Sequence, residues 1–105
     1  MTATKHAVLQ ETVSATVTSG DAGTGWLALR EGGRYFDMSI AGDWEGRVTL
    51  ELRACPGRPG STVMALAVFV KNAEELFHVD RDSDVRLWVR NGDFGRGRIR
   101  LELGT

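Results

Sequence analysis

Few side chains in this chain could carry out covalent chemistry. It has one cysteine, Cys55, and two histidines, His6 and His78. A thiol becomes a nucleophile when a nearby base draws off its proton, and Cys55 could in principle meet His78 across a fold. Cys55, however, opens the Pro-Gly loop CPGRPG with no catalytic signature around it, so a small, partly covered thiol is the simpler reading. Neither a Cys-x-x-Cys nor a His-x-x-x-His spacing is present, which argues against zinc. Asp80, Asp82 and Asp84, in VDRDSDV, start like a calcium loop. That loop needs glycine at its sixth position and glutamate at its twelfth, where Val85 and Asn91 stand. A solvated turn whose charges are answered by arginine-rich neighbours fits these acids better than a weak cation site. The expectation is a protein that is not an enzyme, with no catalytic residue, no cofactor and no metal.

Recognition-type side chains are densest near the end of the chain, in DVRLWVRNGDFGRGRIRLEL. Read as a β-hairpin, this segment puts Arg86, Trp88, Arg90, Arg98 and Arg100, with Glu102, on one outward face. Arginine and tryptophan are enriched at the energetic centres of protein interfaces. Three uses compete: a solvated face in which arginine stems cover Trp88, a protein–protein contact, and a stacking platform for a sugar or a single-stranded nucleic acid. A net charge of −1 weighs against nucleic acid. Of the other tryptophans, Trp26 opens a short apolar run and reads as core. Trp44, in the turn AGDWEG, reads as a cap on one end of the core rather than a ligand platform.

Strands must position these side chains, because period-two alternation dominates the sequence. Val48, Leu50 and Leu52 face inward while Arg47, Thr49, Glu51 and Arg53 face out. Phe36, Met38 and Ile40 alternate with Arg34, Tyr35, Asp37 and Ser39; Val85, Leu87 and Val89 with Arg86, Trp88 and Arg90; Ile99, Leu101 and Leu103 with Arg98, Arg100 and Glu102. Leu9, Val13, Ala15 and Val17 suggest a first strand, residues 26–29 a short second, and residues 76–79 a short edge. The nearly continuous apolar run over 62–70 contains Met, Ala and Leu, but its Val and Phe content favours a strand covered on both faces. Turn chemistry at 19–25, 31–33, 41–46, 55–60 and 91–97 separates these runs and absorbs most of the 13 glycines. The fold class expected is all-β: an antiparallel β-sandwich of seven or eight strands, jelly-roll or immunoglobulin-like.

With 105 residues, 42% of them apolar and 26% charged, the chain suits one folded domain. Residues 1–7 read as a flexible N-terminal arm and residues 8–105 as a single β-sandwich domain. Thirteen basic against 14 acidic groups create no global field toward nucleic acid or an anionic membrane. The balance is uneven, with four basic and seven acidic residues over 1–52, then nine and seven over 53–105. A lone cysteine suits a reducing compartment. The N-terminal stretch lacks the apolar core of a signal peptide, and no apolar run is long enough to span a membrane.

Two segments, GRYFDMSIAGDWEGRVTLELR over 33–53 and VRLWVRNGDFGRGRIRLELG over 85–104, resemble small β-sandwich virion proteins of tailed bacteriophages and phage-like particles. In that family a strand ends at G-x-[WF]-x-G, the next begins V-x-L-x-R, and a closing hairpin reads R-[LV]-x-x-x-x-x-x-x-G-x-[IV]-x-[LV]-x-L. Here Gly42, Trp44, Gly46, Val48, Leu50 and Arg53 follow the first pattern, with the arginine one residue late. Gly97, Ile99, Leu101 and Leu103 follow the second. The resemblance implies a capsid decoration, or cement, protein at the capsid surface of a virion, made in the host cytoplasm. It would bind the major capsid protein and ride the shell as a homo-oligomer, a dimer or trimer. The contact residues expected are Arg86, Trp88, Arg90, Arg98 and Arg100, with Thr2, Lys5 and His6 of the N-terminal arm reaching a neighbour. The alternative is a carbohydrate-binding module or a tail-associated accessory protein, with Trp44 or Trp88 stacking a sugar.

Overall fold

The computed structural model describes residues 11–30, 35–54 and 62–105. The alternating segments form nine strands among these residues: β1 (Thr12–Val17), β2 (Ala22–Gly23), β3 (Leu27–Leu29), β4 (Tyr35–Gly46), β5 (Val48–Ala54), β6 (Val63–Phe69), β7 (Ala73–His78), β8 (Ser83–Val89) and β9 (Phe94–Gly104). The count exceeds the expected seven or eight because the stretch over 19–25 is more than a turn. It contains β2, and Thr24 then bridges β2 to β3. Thr24 donates its N–H to the Leu87 carbonyl at 2.9 Å, and its hydroxyl accepts the Leu87 N–H at 3.0 Å. Both short strands thereby pair with β8 as two halves of one edge.

The strands form two antiparallel sheets, ordered β1-β9-β4-β7 and β2-β8-β5-β6, with β3 also on β8. With β2 and β3 taken as one position, this is the strand order of a jelly roll, two interlocked Greek keys, rather than that of an immunoglobulin domain. The inward sets read from alternation meet between the layers. Phe36, Met38, Ile40, Ile99, Leu101 and Leu103 come from one sheet, and Leu27, Leu29, Val48, Leu50, Val85, Leu87 and Val89 from the other; all are buried. Apolar area removed from water on this scale is the main stabilising term of so small a domain.

The structure corrects two expectations about local form. Residues 41–46 are not a turn: β4 runs through them for 12 residues. Two glycines on neighbouring strands make this possible. Gly42 (φ 119°) and Gly97 (φ 96°) take backbone conformations that side chains disfavour. A Cβ would meet the Arg98 carbonyl oxygen at Gly42, and at Gly97 the Asp43 carbonyl oxygen. The pattern in GDWEG therefore serves close β4–β9 contact. The chain leaves that sheet only at Arg47, whose N–H donates to the Asp93 carbonyl at 2.9 Å.

The second correction concerns β6. The run forms a strand, as expected, over Val63–Phe69, but it is the outermost strand of its sheet and is not covered on both faces. Val63, Met64, Leu66, Val68 and Val70 are all exposed. A continuous apolar run suggests a doubly covered strand because burial is its usual cause; here the run is instead on the surface.

Candidate protein-docking surface

The expected β8–β9 hairpin does not pair. β8 lies between β2/β3 and β5 in one sheet, and β9 between β1 and β4 in the other. The Asp93 N–H donates to the Arg90 carbonyl at 2.9 Å, closing a turn that carries the chain across to the opposite layer. The physical reason is that both strands own a fully apolar face. Placing them in facing sheets brings Val85, Leu87 and Val89 and Ile99, Leu101 and Leu103 into one core. Arg86, Trp88 and Arg90 consequently share the outer face of the five-stranded sheet. Arg98 and Arg100 lie on the outer face of the other, beside Asp43 and Ala41. Thr2, Lys5 and His6 lie outside the described residues, as does Cys55.

Arg86, Trp88 and Arg90 are built into a larger array. Register places Glu51 of β5 beside Arg86, Thr49 beside Trp88, and Arg53 beside Asp84. Arg86 Nε donates to Glu51 Oε1 at 2.7 Å, and Arg90 Nε to Glu51 Oε2 at 2.9 Å. One row away, Asp84 Oδ2 accepts from Arg53 Nη2 at 2.6 Å, and Asp84 Oδ1 from Arg30 Nη2 at 3.2 Å. Arg30 also donates from Nη1 to the Ser83 carbonyl at 2.9 Å. The two carboxylates are buried, at 3% and 5% exposure. Each is satisfied by two guanidinium groups, as a buried charge must be.

The tryptophans fill the spaces between these arginines. Trp26 is half-buried on the outer face and not in the core as expected. The guanidinium carbons of Arg53 and Arg86 lie 4.3 and 4.4 Å from the centre of its ring. Arg86 also lies 3.9 Å from the centre of the Trp88 ring. The order Arg53, Trp26, Arg86, Trp88 is a run of alternating cations and rings, each contact worth about 0.5–1 kcal/mol at partly exposed sites. What lies over Trp88 is the guanidinium head of Arg86, where an arginine stem was expected. The heads of Arg30 and Arg90 stay 47% and 44% exposed, so the array presents fixed positive charge to solvent.

Sequence reasoning missed the anchors Glu51, Arg53, Arg30 and Trp26, whose partners lie as many as 60 residues away. Only strand order reveals them. On its far side the array borders β6, since Val68 pairs with Thr49, Ala65 with Glu51 and Val63 with Arg53.

The other sequence candidates do not converge. Trp44 is buried, as a core cap should be, and its Nε1 donates to Asn72 Oδ1 at 2.7 Å. His78 packs against Tyr35, ring centres 4.4 Å apart, at the opposite sheet's edge. Of the acidic triplet, Asp84 is answered by Arg30 and Arg53, but it is buried within β8 and not in the solvated turn expected, because its two oxygens are taken up by those guanidinium groups. No group of three or more metal-ligating side chains occurs among the described residues.

No protein-family model matches the chain, and no curated protein matches it. Among solved structures, one from Bacillus, described by the words "Bacillus endospore appendages form a novel family of disulfide-linked pili", is similar at 12% identity and a TM-score of 0.41. The match covers 99% of this chain and 95% of that one.

Proposed function

We propose that this protein is a structural, non-enzymatic docking protein that decorates a phage or phage-like capsid shell, binding major capsid protein subunits through the outer face of its five-stranded sheet. The observation that supports this reading is the pre-organised Arg–Trp array. Its composition is that of interface hot spots. Its side chains are held by Glu51 and Asp84 before any partner arrives, which lowers the ordering entropy lost on binding. Many copies on a symmetric lattice turn modest single contacts into firm attachment. The sugar-platform alternative finds less support, since Trp44 is enclosed and Arg86 lies over Trp88.

The test is co-sedimentation of the purified protein with shells lacking it, followed by thermal melting of the particles. Saturable binding that raises the particle melting temperature, and that Trp88→Ala weakens while circular dichroism stays unchanged, is the expected result. Absence of binding, or binding indifferent to Trp88→Ala and Arg90→Gln together, would sink the proposal.

A further inference from the structure

A jelly roll has four outer strands, and each leaves one row of backbone N–H and C=O groups unpaired within its sheet. Natural sheets protect such edges with short strands, charges or inward-pointing acids. In this protein one edge is broken into β2 and β3, of two and three residues. Another, β7, carries Glu74 and Glu75, and Glu75 stands in register with the buried Met38, on the inward side. The third, β1, turns Thr12, Ser14 and Thr16 outward beside Gly104, Glu102 and Arg100. β6 has none of these charged, broken or polar guards. From Val63 to Val70 it has no charge, no proline and no glycine.

We propose that β6 is a self-association edge at which a second copy of this chain adds its own β6, antiparallel, across a two-fold axis. The partner of a strand that is apolar on both faces must itself be apolar on both faces. Among the described strands of this chain longer than three residues, β6 alone is apolar at every position. Self-pairing brings no like charges together, whereas β7 against β7 would oppose glutamates.

The pattern within β6 also selects a register. A bulge lies between the rungs Leu50–Ala67 and Glu51–Ala65, leaving Leu66 as the extra residue. Beyond it the strand alternates regularly: Leu66, Val68 and Val70 are exposed while Ala67 and Phe69 are partly buried against the core. An axis through Val68 uses this regular part. It sets Val68 against its own copy, Leu66 against Val70, and small Ala67 against large Phe69. The Leu66, Val68 and Val70 stripes of the two copies then become one apolar patch, and the five-stranded sheets join into one continuous sheet. The two Arg–Trp arrays come to lie on the same side of that sheet. The dimer does not depend on what those arrays bind.

Sedimentation velocity over a concentration series tests this, with hydrogen exchange read on residues 63–70. The expected result is a monomer–dimer equilibrium in which amide protection of 63–70 rises with concentration. Val68→Lys, at a 54% exposed position that tolerates a charge without unfolding, raises the dissociation constant at least about tenfold. Glu75→Gln leaves it unchanged. In a Cys55→Ser background, Val68→Cys forms a disulfide-linked dimer on mild oxidation, because residues facing each other across antiparallel strands have Cβ atoms about 5 Å apart. A protein that stays monomeric throughout, or a dimer that persists in Val68→Lys without cross-linking through Val68→Cys, overturns the proposal. So does a monomer whose 63–70 amides become protected only when shell subunits are added, since the edge then belongs to that partner. Shell binding by the monomeric Val68→Lys variant would show that the docking reading stands even where dimerisation has been removed.

Discussion

Arg86 Nε lies 2.7 Å from Glu51 Oε1 across the β5–β8 pair, with the Glu51 side chain 4% exposed and that of Arg86 22%. A buried carboxylate held in this way is a dependency. If its arginines leave, the charge stays behind without compensation. Arg90→Glu makes matters worse, because it places a second carboxylate against Glu51 in place of a cation. We expect Arg90→Glu to lower stability by about 1–3 kcal/mol in urea unfolding. Arg98→Glu, exposed on the other sheet, should change it by less than about 0.5 kcal/mol.

Removing the acid itself gives a different outcome. Glu51→Gln keeps two acceptor or donor positions but loses the charge that holds Arg86 and Arg90. Stability should fall by about 1–3 kcal/mol. Arg86 should also loosen from Trp26 and Trp88, which tryptophan fluorescence would report as a red shift.

The split of the arginines between two faces separates two versions of the docking reading. If the array on the five-stranded sheet is the contact, the double change Arg98→Glu with Arg100→Glu leaves shell binding within about a factor of two, the scale of a distant surface change. Co-sedimentation titrations would measure this. A large loss would move the contact to the opposite sheet.

Trp44 offers a test of the core. Its indole N–H donates to Asn72 Oδ1, and Asn72 Nδ2 donates to the Gly42 carbonyl at 3.0 Å. Trp44→Phe retains most of the apolar contact but loses the indole hydrogen bond, leaving the exposed Asn72 amide to water, for a loss of about 0.5–1.5 kcal/mol. Trp44→Ala also opens a cavity and should lose about 3–5 kcal/mol. Thermal unfolding followed by circular dichroism would rank the two.

Gly97→Ala should be among the most damaging small substitutions in the chain. The left-handed conformation adds about 1–3 kcal/mol of strain, and the new Cβ meets the Asp43 carbonyl oxygen at 2.1 Å. Gly25→Ala, where a Cβ meets nothing within 4 Å, is the matched control and should be close to neutral in the same urea titration.

These sites also show how far the sequence could be read. Which side of each strand is buried was legible, because alternation is written residue by residue: Phe36, Met38 and Ile40, or Val85, Leu87 and Val89, declare their face within a few positions. Which strands lie side by side was not. Arg86 and Arg98 sit on consecutive strands yet on opposite surfaces, since a turn sequence such as NGD serves equally to reverse a hairpin or to cross between layers. The Arg–Trp array was half legible for the same reason. Arg86, Trp88 and Arg90 share one strand and stood out together, whereas Glu51, Arg53 and Trp26 join them only through pairing. β6 misled because an uninterrupted apolar run states the character of a strand and not its place in a sheet.

Asn72 lies in the short connection between β6 and β7, and its two side-chain bonds reach the strand at the centre of the opposite sheet. Edge strands are ordinarily the first to peel away when a sheet is pulled. Here tension along β6 would arrive at Asn72 and pass to Trp44 and Gly42, so the outermost strand is moored to the interior. A second copy seated on that edge would pass its load into the body of the domain instead of fraying at its rim.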